Sequence, residues 1–431
     1  MAQLVAVSDG NHFSISDDFV DEGIPYYRGQ DVTGRFFIDS ASPNFITEDA
    51  FNRQYMKRSH LKKGDVLLSI IGTIGELSLV DSENDATCSC KLAIFRPHSI
   101  EPEFLAAFLQ CAHGNNQIKR LTRGAVQQGF LLEDVAQLLI PEFSDSFRVA
   151  VVGAVQGARV AQAETQDRTL RAESALLTAL GLAGWVPPEP LAYTARAADV
   201  FASARLDAQY FMPPKLEMIA ALQAMPGDAL GARFKAVREM FDPARADPDL
   251  LVRNFDLPDA LEPILDDEKE LVACEEVGSL KKTMRNGDVA ISRLRAYLKE
   301  TAVVRTSNAQ PTVGSSEFIV LRPVNQKANR IAPETLMVFL RSAPVQTILK
   351  WCQDGSQHPR FGERDLLSIP VPDAVADASE AIEAMVRSAF AARARSRALL
   401  AAAKRAIEIA IEEGEAAAMI YLTQEEARAH G

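Results

Sequence analysis

Residues 61–97 read LKKGDVLLSIIGTIGELSLVDSENDATCSCKLAIFRP. Lys62, Lys63 and Gly64 make a polar turn, and Val66, Leu67, Leu68, Ile70 and Ile71 follow as an apolar run of strand length. Gly72 and Gly75 punctuate the run, the sign of a turn or a close backbone approach. Leu77, Leu79 and Val80 make a second strand, and Leu92, Ile94 and Phe95 a third, stopped by Pro97. The stretch predicts a small antiparallel sheet.

A degraded copy lies downstream. Gly287-Asp288-Val289-Ala290-Ile291-Ser292 matches Gly64-Asp65-Val66-Leu67-Leu68-Ser69, and the run ending Arg322-Pro323 matches the run ending Arg96-Pro97. A helix expected from Glu103 to Arg120 recurs from Glu334 to Leu349. The loop Arg123-Gly124-Ala125-Val126-Gln127-Gln128-Gly129 recurs as residues 354–360, and Leu138 to Pro141 recurs as Leu367 to Pro370. The offset drifts only from 223 residues at Gly64 and Gly287 to 231 at Glu103 and Glu334. Residues 212–283, rich in Asp and Pro, match nothing in the first copy, and no Glu is found at the place of Glu76.

Between and after the copies the glycines thin out. Val151, Val155, Ala158, Gln162, Thr165, Thr169, Ala172, Leu176 and Ala179 step by threes and fours, a heptad seam with a polar middle. Ile382, Met385, Ala389, Ala392, Ser396, Leu399, Ala403, Ala406 and Ala410 do the same, with enough alanine for close helix approach. A helix of this length and amphipathicity needs a partner. The expected architecture is mixed α/β: two similar globules, residues 1–142 and 185–372, and two long helices, 143–184 and 373–414, pairing as an antiparallel coiled coil. Residues 415–431 are expected to be a tail of one or two more helical turns with a frayed end.

Composition bounds the function. The chain has 431 residues, 47% hydrophobic and 24% charged, ordinary globular values. No apolar run approaches the roughly 18–20 residues that span a bilayer, and the start lacks a signal-peptide pattern. A cytoplasmic protein without membrane contact is expected. The five cysteines are dispersed and odd in number, which reads as reduced thiols, and no metal-ligand spacing occurs. The net charge of −12 argues against unassisted nucleic-acid binding.

Two similar globules at a fixed separation suit a two-part target, and DNA presents the same face again about 34–36 Å along its axis. Arg123, Gln127 and Gln128 carry donors that suit guanine and adenine edges, and Gln357, His358 and Arg360 hold the equivalent loop of the second copy. Tyr26, Tyr27, Arg28 and Gln30 form a second candidate surface, and Lys281, Lys282, Arg293, Arg295 and Tyr297 lie in a basic stretch against an acidic background. Thr73, Lys91, Lys119, Ser315 and Ser316 complete the candidate DNA-contacting set. Catalysis finds no support. Asp65 and Glu76 lack the Lys of a nuclease Glu-x-Lys, and no phosphate loop, dinucleotide fingerprint or Ser-His-Asp set can be picked out. Asp65 reads as a turn cap. A protein-interaction scaffold without direct base readout is the alternative, favoured by the acidic charge.

The chain resembles the specificity subunit of type I restriction-modification systems. GIPYYRGQDV (23–32), GDVLLSIIGTIG (64–75), KLAIFRP (91–97), RGAVQQGFLLEDVAQLLIP (123–141) and RLDAQYF (205–211) carry the resemblance, with the echoes GDVAIS (287–292) and SSEFIVLRP (315–323). The resemblance implies two target-recognition domains, each binding one half of a split double-stranded DNA sequence, and a helical spacer fixing the gap. It implies docking of two methyltransferase subunits that carry S-adenosylmethionine and methylate adenines, and of a motor-nuclease restriction subunit. The chain itself would hold no cofactor and catalyse nothing. Another methylation-based phage defence system using the same subunit type fits equally.

Overall fold

The computed structural model describes residues 1, 3–38, 44–124, 128–188 and 190–430. The chain divides into two compact units, Met1–Glu164 with Ala392–Gly431, and Thr165–Ala391.

The strands of the first unit are β1 (Val5–Asp9), β2 (Phe19–Val20), β3 (Ile24–Tyr27), β4 (Phe37–Ile38), β5 (Phe45–Ile46), β6 (Val66–Ser69), β7 (Leu77–Val80), β8 (Thr87–Cys88) and β9 (Leu92–Pro97). A five-stranded sheet has the order β1-β9-β6-β7-β4, and a smaller one the order β2-β5-β3-β8. The expected antiparallel trio is there: β6 lies between β7 and β9, with Val66 opposite both Leu79 and Phe95. The run at 66–69 is buried at every position because both faces of the sheet are covered. Val66, Leu68, Leu77, Leu79 and Phe95 face a core with Phe104, Leu105 and Phe108 of the helix Pro102–Gln110. Leu67, Val80, Leu92 and Ile94 alternate onto the other face, against Tyr27 and Cys88 of the smaller sheet.

The second unit carries β10 (Gly227–Ala229), β11 (Phe234–Ala236), β12 (Met240–Phe241), β13 (Leu251–Phe255), β14 (Ile264–Asp266), β15 (Leu271–Ala273), β16 (Lys281–Met284), β17 (Val289–Ser292), β18 (Thr301–Arg305), β19 (Thr312–Gly314), β20 (Phe318–Pro323) and β21 (Pro370–Pro372). Its main sheet runs β11-β20-β17-β18-β14, the same topology strand for strand. Its companion sheet runs β12-β16-β19-β13-β15, and the parallel pair β13 and β19 repeats the parallel pair β3 and β8. The repeat therefore extends into residues 212–283, where the sequence shows no counterpart. Strands β11, β13 and β14 fill the places of β1, β3 and β4 there. Pairing was kept while the letters and loop lengths changed.

One buried ion pair recurs in both sheets. Because Val66 opposes Phe95, Asp65 reaches Arg96: Nε and Nη2 donate to its carboxylate at 2.8 and 2.6 Å, and the Lys62 N–H donates at 2.8 Å. Val289 opposes Leu321, and Arg322 and the Arg285 N–H hold Asp288 in the same way, at 2.8, 2.7 and 2.8 Å. Asp65 caps the turn, as expected, and is also a structural ion-pair partner.

The expected single helices from Glu103 and Glu334 are each broken in two. Pro102–Gln110 and Ala112–Leu121 meet at Cys111 (ψ 163°), and Pro333–Arg341 and Ala343–Lys350 meet at Ser342 (ψ 149°).

The long helices are Asp145–Ala179 and Ser379–Glu412. Within the first unit they run antiparallel: a Cβ at Gly157 would stand 3.3 Å from Leu399 Cδ1, the Ala158 carbonyl accepts from Ser396 Oγ at 2.7 Å, and Arg395 reaches Glu164 at 2.5 Å. Within the second, Thr165 Oγ1 donates to the Ala389 carbonyl at 3.3 Å and Arg168 pairs with Ser388. Of the first helix's expected seam, Val151, Val155, Ala158, Ala172 and Leu176 are buried, and the edges of the seam differ from the expected ones. Thr169 and Ala179 are exposed, while Ala154, Ala161 and Leu180 are buried. The one or two helical turns expected after residue 414 are a longer helix, Glu415–His430, which sinks Ala418 and Leu422 into the first unit's core. Among the described residues no helix is long and apolar enough to cross a membrane, and the five cysteines are free.

Candidate nucleic-acid interface

In both units the candidate residues gather where β6 and β17 end and β9 and β20 begin. In the first unit, Ser69 closes β6, and its Oγ lies 3.1 Å from Thr73 Oγ1, which in turn lies 3.4 Å from the Gly29 carbonyl. The backbone at Gly29 packs closely here: a Cβ there would stand 3.1 Å from Ser69 Oγ. The Lys91 carbonyl accepts from Ile70, and Phe130 donates to the Ile70 carbonyl. Arg123 and Gly129 exchange both backbone hydrogen bonds, and Gly129 bridges Ile71. Thr73, Lys91, Gln128 and Gln30 are thereby brought to one end of the sheet and exposed, with Arg28 half-buried beside Asp31. Lys119 is exposed on the neighbouring helix. Gln127 lies outside the described residues.

Tyr26 and Tyr27 do not belong to this surface. Their strand lies inside the smaller sheet, with Tyr27 packed against the main sheet and Tyr26 against Ile46, Phe51 and Met56 on the opposite face, leaving Tyr26 and Tyr27 6% and 2% exposed. Arg123 is exposed, yet its Nη2 donates to the buried Asp134 at 2.5 Å, and Gln137 donates to the same oxygen. The guanidinium is anchored at one end.

The second unit builds the same corner with different chemistry. Phe361 donates to the Arg293 carbonyl as Phe130 does to Ile70, and Leu294 bridges Arg360 as Ile71 bridges Gly129. Arg360 thus stands in the place of Gly129. Its Nε and Nη2 donate to Glu317 at 2.9–3.1 Å, and Arg293 lies 3.7 Å from the same carboxylate. Arg360 holds the Glu317 carboxyl below its ordinary range. The contact therefore stabilises the corner above the ordinary carboxylate range and is lost as pH falls through the lowered value. Arg295, in a left-handed conformation (φ 50°), donates to His358 Nδ1 at 3.2 Å. Tyr297, Gln357 and Ser316 are exposed, and Ser315 is half-buried.

Lys281 does not lie on this surface. It is 8% exposed and paired with Asp256, because its strand lies inside the companion sheet, and Lys282 turns back to the Val237 carbonyl. The basic stretch is part ion-pair interior and part surface, and only its later half reaches the corner.

Residues outside the candidate DNA-contacting set position this loop. Arg205 forks between Asp207, at 2.6 and 2.8 Å, and Asp354, at 2.8 Å, with its guanidinium 4.6 Å from the Tyr210 ring centre. Asp354 in turn exchanges both backbone bonds with Arg360. Lys215 lies beneath, 2% exposed, its ammonium 3.0 Å from the Tyr210 ring centre, and burial pushes its pKa down. The RLDAQYF segment is therefore a brace under the loop.

A metal-dependent nuclease site is not assembled by Asp65 and Glu76. Asp65 precedes β6 and Glu76 precedes β7, so the antiparallel ladder places them at opposite ends of the hairpin. Glu300 does occupy the place of Glu76, its carbonyl accepting from Ser292 at 2.8 Å as that of Glu76 does from Ser69. Seven intervening residues against six hid it in the sequence. No cluster of three metal-ligating side chains occurs among the described residues.

No family model and no curated protein matches the chain. Among solved structures the chain is similar to a type I restriction-modification system S subunit from M. genitalium, at 11% identity over 94% of this chain and 93% of that one, TM-score 0.42. It is similar to the HsdS subunit from Thermoanaerobacter tengcongensis, at 18% identity over 92% and 94%, TM-score 0.28. It is also similar to a chain from a structure concerned with complex assembly and conformational transition of the type I R-M system, at 16% identity over 96% and 97%, TM-score 0.30.

Proposed function

We propose that the chain is a non-catalytic DNA-specificity subunit of a type I restriction-modification system, recognising a bipartite double-stranded target. The observation that carries this reading is the doubled corner. Two sheets of identical strand order each end in a loop cluster bearing exposed polar and cationic side chains, and the two clusters differ in chemistry. An unequal pair of readers suits an asymmetric two-part sequence. Arg28, Gln30, Thr73, Lys91, Lys119, Arg123 and Gln128 serve the first half-site, and Arg293, Arg295, Tyr297, Ser315, Ser316, Gln357, His358 and Arg360 the second. The paired helices serve as spacer and as docking ground for two methyltransferase subunits carrying S-adenosylmethionine, and a restriction subunit joins them. Those partners supply the positive surface that a chain of net charge −12 lacks.

Replacing residues 1–142 with the corresponding unit of a relative is expected to change one half of the methylated motif and leave the other intact, read by sequencing methylated DNA. Change in both halves, or in neither, refutes the two-reader scheme. The acidic charge favours a second reading, a scaffold without base readout. Gel-shift measurements with the methyltransferase partner present separate the two, since a scaffold gives no sequence-selective shift.

A further inference from the structure

Arg360 is the most constrained cation at either corner. Its main chain is fixed on both sides, by two bonds with Asp354 and by the bridge to Leu294. A guanidinium offers five N–H donors in one plane. Glu317 takes the Nε donor and one on Nη2, and the His358 carbonyl takes one on Nη1 at 3.1 Å. One donor on each terminal nitrogen remains, and two donors in that fork match the O6 and N7 acceptors of guanine in the major groove. Glu317 is itself placed by the fold. The Arg293 N–H donates to its carbonyl at 3.1 Å, and its own N–H donates to Ser315 Oγ at 3.3 Å.

We propose that Glu317 is a specificity-determining residue: by occupying one edge of Arg360, it presents the other in a fixed direction to a guanine of the second half-site. The inference rests on reading this unit as a DNA reader. Glu317 acts through Arg360 and is a positioning residue. It has a second effect, because a carboxylate beside Arg293 and Arg360 weakens their attraction for any phosphate. It thus lowers sequence-independent binding while sharpening base choice. The first unit has no counterpart, since Gly129 stands where Arg360 does. The effect is confined to one half-site.

The test uses the full chain with its methyltransferase partners and a randomised DNA pool, at several salt concentrations. Arg360→Ala is expected to relax one guanine position of the second half-site about 10–100-fold, as loss of a bidentate pair does. Glu317→Gln, nearly isosteric, is expected to relax the same position about 10-fold, to tighten non-specific binding, and to steepen the salt dependence by about one phosphate contact. Glu317→Asp is expected to restore part of the discrimination. The first half-site of the same molecules is the folding control and should not change. Unaltered guanine preference in Glu317→Gln, with Arg360→Ala relaxed, overturns this inference alone. A uniform loss of affinity with an unchanged salt slope also overturns it, since that is a structural defect. No guanine dependence in Arg360→Ala, with the wild-type complex unselective at that half-site, overturns the DNA-reading assignment of the unit as well.

Discussion

Asp288→Ala should destabilise the second unit by about 3 kcal/mol, near the low end of the range for breaking a buried ion pair. The carboxylate is 2% exposed and accepts three hydrogen bonds, two from Arg322 and one from the Arg285 N–H. Its removal strands a guanidinium only 23% exposed and orphans a backbone donor at the turn entering β17. The residual exposure of Arg322 keeps the cost from the top of the range. Against a total stability of about 5–15 kcal/mol such a loss is large. The double variant Asp288→Leu with Arg322→Met should recover most of it, because replacing both members of a buried pair with apolar groups is often neutral. Urea unfolding of the four members of the cycle measures the coupling. If Asp288→Leu costs as much when Arg322 is already Met as it does alone, the pair is not the source. Asp65 and Arg96 should behave likewise in the first unit, with a smaller cost, since Arg96 is 37% exposed.

This pair shows what the sequence carried. GD before a strand and RP after another are both visible in each copy, and their recurrence made the repeat legible. That they touch was not, because contact depends on β6 pairing with β9 in the register that sets Val66 opposite Phe95. Period-two alternation failed at 66–69 for a related reason. A sheet buried on both faces reads as a continuous apolar run, so the second layer was hidden. Strands β11 to β15 were missed because each is only two to five residues long and set between short proline- and aspartate-rich turns. At the corners, loop position was legible and side-chain engagement was not. Tyr27 and Lys281 have reader-like chemistry and are buried, while Arg205 and Glu317 looked ordinary and hold the loop. The pair of glycine-framed loops gave the place of the site; its counter-ions came only from the fold.

Ala158→Phe should cost about 3 kcal/mol or more, the upper end of what overpacking a close-packed site costs. Ala158 has no exposed surface, and its carbonyl accepts from Ser396 Oγ at 2.7 Å, so the two helix backbones approach closely there. The seam around it is alanine on both helices, with Ala154 and Ala161 on one and Ala402, Ala403 and Ala406 on the other. A phenyl ring must push the helices apart, breaking the Ser396 bond and opening the core that this seam shares with Phe104, Phe108 and Leu105 of the first globule. The helices are thus not an appended spacer, since their seam is continuous with the sheet's hydrophobic layer. Ala163→Phe, on an exposed position of the same helix, is the control and should change stability by less than about 0.5 kcal/mol. Thermal unfolding of both variants checks the difference. Equal effects at 158 and 163 would mean that helix propensity, and not the seam, governs the loss.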